Sequence, residues 1–165
     1  MLEIFISDTN LEIIKSEGKK SYPDECCGLL IGKVEDDRKI ITQVIPTVND
    51  WENQKELFSH FNDRDDRQCR DTFSIDPLTI LKVQKQVREE DLAIVGIYHS
   101  HPDHPAIPSA FDTEFAWQIY SYIIISVTEQ GVVSARSWIL DRNNDDNSTK
   151  TFQEEKIVIS VNSEQ

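Results

Sequence analysis

The chain has 165 residues, 38% of them apolar and 28% charged, the proportions of one globular domain rather than a fibrous or disordered chain. Its 17 basic against 30 acidic residues give a net charge of −13, which disfavours nucleic acid and anionic membrane as partners. No apolar run approaches the ~20 residues of a membrane span. The N-terminus lacks a signal-peptide pattern and the three cysteines, two of them adjacent, make no disulfide framework, so a reducing cytoplasm is the expected setting.

In chain order, residues 2–7 read as a short strand. Thr9-Asn10-Leu11-Glu12 then offers a capping box for a helix with Leu11 and Ile14 on its apolar side, stopping near Gly18 and Tyr22-Pro23. Residues 26–31 form a continuous small-and-apolar run suited to a buried strand, and β-branched 39–48 reads as its hairpin partner across the Glu35-Asp36-Asp37 turn. From Asn49 to Arg70 the chain is polar, with Trp51, Leu57, Phe58 and Phe61 as islands; a strand is expected at 56–61 and an exposed loop after it.

Asp76-Pro77 predicts a helix start, with Leu78, Leu81 and Val87 as its apolar side. Residues 92–98 are the clearest buried strand. Beyond a proline-rich stretch at 102–108, Ser109-Ala110-Phe111-Asp112 is a second box, opening a short helix to about Trp117. Segments 122–127 and 134–140 flank a Glu129-Gln130-Gly131 turn as a hairpin, 141–148 is a polar loop, and 156–161 supplies a last edge strand. The expected fold is α/β: one domain over 1–161 with a mixed sheet and no linker, then a disordered tail at 162–165.

The chemistry concentrates after the strongest strand, where His99, His101 and His104 fall within six residues. In extended chain, residues i and i+2 share a side, roughly 6–7 Å apart at Cα, so His99 and His101 can converge on one ion. A pair of histidines at a strand end with no metal is the competing reading. Asp112, in the first turn of the predicted helix, is a natural third ligand. Three protein ligands leave a fourth position for water, the mark of a catalytic zinc, and a nitrogen-rich set favours zinc among divalent ions. Ser109 and Asp112 are equally accounted for as a plain capping box. Glu25, before the uncharged strand, is the candidate general base; its alternative is a solvated strand end. Adjacent Cys26 and Cys27 must point to opposite faces and read as small buried side chains, whereas Cys69 and His60 lie in polar surroundings. Trp117 and Trp138 fit core faces, and Trp51 suits a groove wall.

Pro23-Asp24-Glu25-Cys26-Cys27-Gly28-Leu29-Leu30-Ile31-Gly32, together with His99-x-His101-Pro102-x6-Ser109-x2-Asp112, resembles the JAMM (MPN+/Mov34) zinc metallopeptidases. Ser74-Ile75-Asp76-Pro77 and Ser137-Trp138 resemble the short prokaryotic type, similar to the sulfur-carrier-processing cysteine peptidases. The likeness covers residues 2–140. It implies an MPN-like domain, a mixed sheet curled around and flanked by two or three helices. It also implies one Zn2+ held by His99, His101 and Asp112, with Glu25 moving the proton and Ser109 donating a hydrogen bond to the oxyanion or to the water. The implied reaction is hydrolysis of an amide bond after the C-terminal Gly-Gly of a ubiquitin-like sulfur-carrier protein. Asn49 to Arg70 is then a candidate groove wall, and an edge-strand homodimer is compatible with the pattern.

Two other readings compete. His99-Ser100-His101-Pro102-Asp103-His104 also spells the His-x-His-x-Asp-His of metallo-β-lactamase-like hydrolases, but those need further histidines downstream and none follows His104. Asp103 and His104 are then loop residues near the site mouth. The non-enzyme alternative is a zinc-stabilised module that binds a ubiquitin-like partner without cutting it.

Overall fold

The computed structural model describes residues 2–58, 68–141 and 150–161. Seven strands follow one another as β1 (Glu3–Ser7), β2 (Cys27–Glu35), β3 (Arg38–Thr47), β4 (Ala93–Pro102), β5 (Ser121–Thr128), β6 (Gly131–Leu140) and β7 (Phe152–Ser160). Their order, β1-β3-β2-β4-β5-β6-β7, closes into a strongly curled barrel of mixed parallel and antiparallel pairs. Among the described residues four helices accompany these strands: α1 (Asp8–Ser21), α2 (Trp51–Gln54), α3 (Pro77–Arg88) and α4 (Ala110–Glu114). The architecture is the expected mixed α/β domain. Among the described residues no helix is long and apolar enough to cross a membrane.

The strands alternate, and the alternation sorts the interior into two cores. Leu11 and Ile14 of α1 pack with Ile4, Ile6, Leu30, Val95, Ile123, Ile125 and Val127. On the opposite face Cys27, Leu29, Ile31 and Ile94 meet Ile75 and the Val83 and Val87 stripe of α3. Each fully buried Ile or Leu contributes about 1.5–3 kcal/mol, so the α1 core alone accounts for much of the gross stabilisation. Gly18 makes that core possible: an added Cβ would stand 2.5 Å from Ile125 Cδ1.

Several details differ from the sequence reading. The cap of α1 is Ser7, whose side chain accepts from the Asn10 amide, not the Thr9 box. The helix end is the expected one: α1 runs to Ser21, with Tyr22 as its C-cap just before Pro23. The expected strand at 56–61 is a 3-10 turn at Lys55–Phe58 following α2; residues 59–67, including His60, lie outside the described set. In α3, Leu78 and Leu81 are exposed and the buried stripe falls on Val83 and Val87. The α4 helix ends at Glu114, leaving Trp117 65% exposed rather than in the core. Segment β7 is no edge: it pairs with β6 on one side and β1 on the other, closing the barrel. Loop 142–149 and tail 162–165 lie outside the described residues.

Candidate metal centre

Strand β4 continues through both histidines instead of stopping before them, so their period-2 spacing is held by the ladder to β5, with β2 also paired at His99. His99 pairs with Cys27 of β2 and Ile124 of β5, and His101 with Ser126 of β5. Both rings therefore emerge on one face, with centroids 5.0 Å apart, and both are buried. Phe73 stacks on the outer side of His99 at 4.5 Å.

Asp112 comes from α4. Ser109 caps that helix with both halves of the box formed: its Oγ accepts from the Asp112 amide at 3.0 Å, and its own amide donates to Asp112 Oδ2 at 2.9 Å. The cap thus aims the carboxylate. Its two oxygens are divided, with Oδ2 3.1 Å from His101 Nε2 and Oδ1 3.6 Å from His99 Nε2. The capping box is formed, and it leaves the Asp112 carboxylate facing both histidines.

These donors fit a small divalent ion. Two imidazole nitrogens and a carboxylate are donors that zinc takes, and each histidine Nε2 lies close to a different Asp112 oxygen, at 3.1 and 3.6 Å. One ligand atom from each of His99, His101 and Asp112 lies within 4.8 Å of the others. Tautomer chemistry points the same way. The Pro105 carbonyl, which can only accept, lies 2.8 Å from His101 Nδ1, so that nitrogen carries the hydrogen and donates it in a hydrogen bond. A neutral ring then presents its Nε2 lone pair to a carboxylate oxygen, an arrangement that calls for a cation or a second ring proton.

Electrostatics favour the ligand forms of His99 and Asp112. Burial lowers the His99 pKa, against the pull of Asp112, and so favours the neutral ring. Burial also opposes ionisation of Asp112, but His99, His101 and the Ser109 amide outweigh it and hold its carboxyl at about 2. The adjacent cysteines take no part. Cys26 joins the α1 core and Cys27 the α3 core, and burial pushes their thiols up to about 11 and about 12.

Glu25 is 6% exposed, with Oε1 3.5 Å from His99 Nδ1. It lines a cleft of about 610 Å3 together with His101, His104 and Ser109, walled on one side by Arg70 and Asp71. His104 thus sits at the site mouth as expected, while Asp103 accepts a hydrogen bond from the Tyr22 hydroxyl at 2.9 Å. Trp51 is not a groove residue: it is 3% exposed and meets Phe111 edge-on at 5.5 Å, behind α4. A second, apolar cavity of about 120 Å3 adjoins His99 and Asp112 between Phe73, Ile97, Phe111 and Tyr122.

Some contributors were missing from the sequence reading. Phe73 precedes the recognisable Ser74-Ile75-Asp76-Pro77 without any local signal, and the role of the Pro105 carbonyl belongs to a backbone atom. Gly28 was legible as a motif member, and its reason is now plain: an added Cβ would run into the buried Tyr98 ring opposite.

The family described as prokaryotic homologs of the JAB domain matches residues 9–141. Desampylases of Pyrococcus furiosus and Haloferax volcanii are 39% and 29% identical to the chain, over 44% and 72% of it. A probable TtuB-protein conjugate cleaving protease of Thermus thermophilus is 46% identical over 30% of it. The matches span 49%, 73% and 33% of those relatives' own lengths. A solution structure of a protein from Desulfitobacterium hafniense, 28% identical, superposes with a TM-score of 0.71 over 95% of this chain and 92% of that one.

Proposed function

The chain belongs to the prokaryotic JAB-domain family, and from that premise we propose that it is a zinc-dependent peptidase cutting the amide or isopeptide bond after the Gly-Gly terminus of a ubiquitin-like, sulfur-carrier-type protein. The observation that carries this reading is the convergence of His99, His101 and Asp112, with buried Glu25 and the exposed Ser109 hydroxyl in one cleft beside them. The names of the relatives, two desampylases and a conjugate-cleaving protease, support the same substrate class.

His99, His101 and Asp112 would hold a single Zn2+, which supplies Lewis-acid chemistry, acidifying a water and polarising a carbonyl. Glu25 takes the proton of the attacking water. Its burial beside His99 keeps bulk solvent from competing for that proton, and the same carboxyl returns it to the departing amine. Ser109 keeps its hydroxyl hydrogen free of the cap, because Oγ acts there as acceptor from the Asp112 amide. That hydrogen is available to the oxyanion, a donation typically worth about 10² to 10³ in rate.

The test is metal content measured alongside mass-spectrometric cleavage of ubiquitin-like carriers bearing C-terminal extensions. One zinc per chain and products ending in Gly-Gly are expected. A zinc-loaded chain that leaves every Gly-Gly-tailed substrate intact would overturn the peptidase reading in favour of a binding module.

A further inference from the structure

Asn49 lies just beyond β3, half-buried, with every hydrogen-bonding position of its side chain engaged. Nδ2 donates to the carbonyls of Thr72 at 3.0 Å and Glu25 at 3.1 Å, with the Cys69 carbonyl at 3.4 Å. Oδ1 accepts the amides of Trp51 at 3.1 Å and Ser74 at 3.2 Å. A carboxamide has two donor hydrogens and two acceptor lone pairs. Carbonyls face its nitrogen and amides face its oxygen, so its orientation is fixed. Two backbone bonds of 2.8 Å brace the same junction, from the Glu25 amide to Cys69 and from the Asp50 amide to Ser74.

These contacts tie together three segments distant in sequence. One carries Glu25 into β2. The second, residues 69–74, brings Phe73 against His99. The third carries Trp51, whose ring abuts Phe111 beside Asp112. Building on the peptidase reading above, we propose that Asn49 is a positioning residue that sets the Glu25 carboxylate against the metal ligands from both sides. It touches none of the reacting atoms. Its leverage comes from distance: a displacement near 1 Å at a reacting group can cost about 10²-fold in rate.

Asn49→Asp tests this, because it keeps shape and acceptor yet turns an oxygen toward the three carbonyls. On a ubiquitin-like protein joined through Gly-Gly to a lysine peptide, kcat should fall about 10- to 100-fold with KM changed by no more than about threefold. Zinc titration should still give one ion per chain at wild-type affinity. Hydrogen exchange should quicken about tenfold or more at the Glu25 and Ser74 amides while the β5 amides stay protected, which a general loss of stability would not produce. The proposal is overturned by an unchanged kcat, by zinc affinity falling in step with activity, or by exchange rising equally through β5. Should the wild type bind zinc and cut nothing, the peptidase reading fails and the exchange pattern alone decides whether Asn49 holds Glu25. If Asn49→Asp does not fold, Asn49→Ser is read by the same measurements.

Discussion

The two faces of β4 do opposite work one residue apart. Val95 and Tyr98 turn toward α1 into a core that is almost wholly hydrocarbon. His99 and His101 turn the other way, to converge on Asp112, with His101 and Glu25 lining the adjoining cleft. The first face gains free energy from burial; the second spends some of it, because buried polar groups are costly unless paired. The cost is tolerable because His99 stands on β4 between β2 and β5, His101 is still paired with β5, and Ser100, pointing back to the α1 face, accepts the Cys26 amide at 2.8 Å and pins the segment next to Glu25. If the division holds, changes on the cleft face should remove activity from a folded protein. Changes on the α1 face should lower stability while each folded molecule keeps its activity.

The sharpest break is His101→Ala. It removes one of three ligands, so zinc and cleavage should vanish together, a loss of about 10³-fold or more, in a chain whose metal-free circular dichroism is unchanged. Full activity in that variant would sink the site. Next comes Glu25→Gln, which keeps the shape of the buried side chain but not its basicity. Zinc stoichiometry should stay at one, and kcat should drop about 10²- to 10⁴-fold.

How much of this was legible follows from the range of the signals. The candidate ligands lie within fourteen residues of one another, so spacing suggested them, whereas the full set with Glu25 came from the likeness to a known family. The two-faced sheet was also readable, since neighbours such as Cys26 and Cys27 must part company on a strand. Contacts made by backbone atoms or across long separations were not readable. Nothing around residue 49 announces that Asn49 reaches Glu25, and β7 looked like an edge because its parallel pairing with β1 joins opposite ends of the chain. Helix details erred where tertiary packing overrode local rules, as with Leu78 and Leu81, which belong to the apolar side of α3 by sequence yet are exposed.

Ser109→Ala crosses the boundary between the two kinds of effect. Loss of the hydroxyl should cost about 10² to 10³ in kcat through the oxyanion and, separately, about 1 kcal/mol through the N-cap of α4. Zinc should be retained, since the Ser109 amide still donates to Asp112 Oδ2. A thermal melt of the metal-free variant reads the cap, and single-turnover cleavage of the zinc form reads the hydroxyl. If kcat is unchanged while the melt shifts, Ser109 is a cap and nothing more.

Gly18→Ala should give the smallest effect, and it probes the α1 face alone. Alanine gains about 1 kcal/mol of helix propensity over glycine. Against that, the new Cβ would sit 2.5 Å from Ile125 Cδ1 and 3.1 Å from Val127 Cγ2, two side chains with almost no exposure. Cδ1 is the free end of a rotatable chain, but it has no solvent to move into, and overpacking of this kind costs about 1–3 kcal/mol. The net expectation is a loss near 1 kcal/mol, a melting point lower by about 2–4 °C. Because β5 also flanks the histidines through Ile124 and Ser126, unchanged kcat and zinc affinity would show that strain on one face of the sheet stops there. A fall in kcat without a fall in zinc affinity would mean that the α1 core sets the geometry of the cleft as well as the stability of the fold.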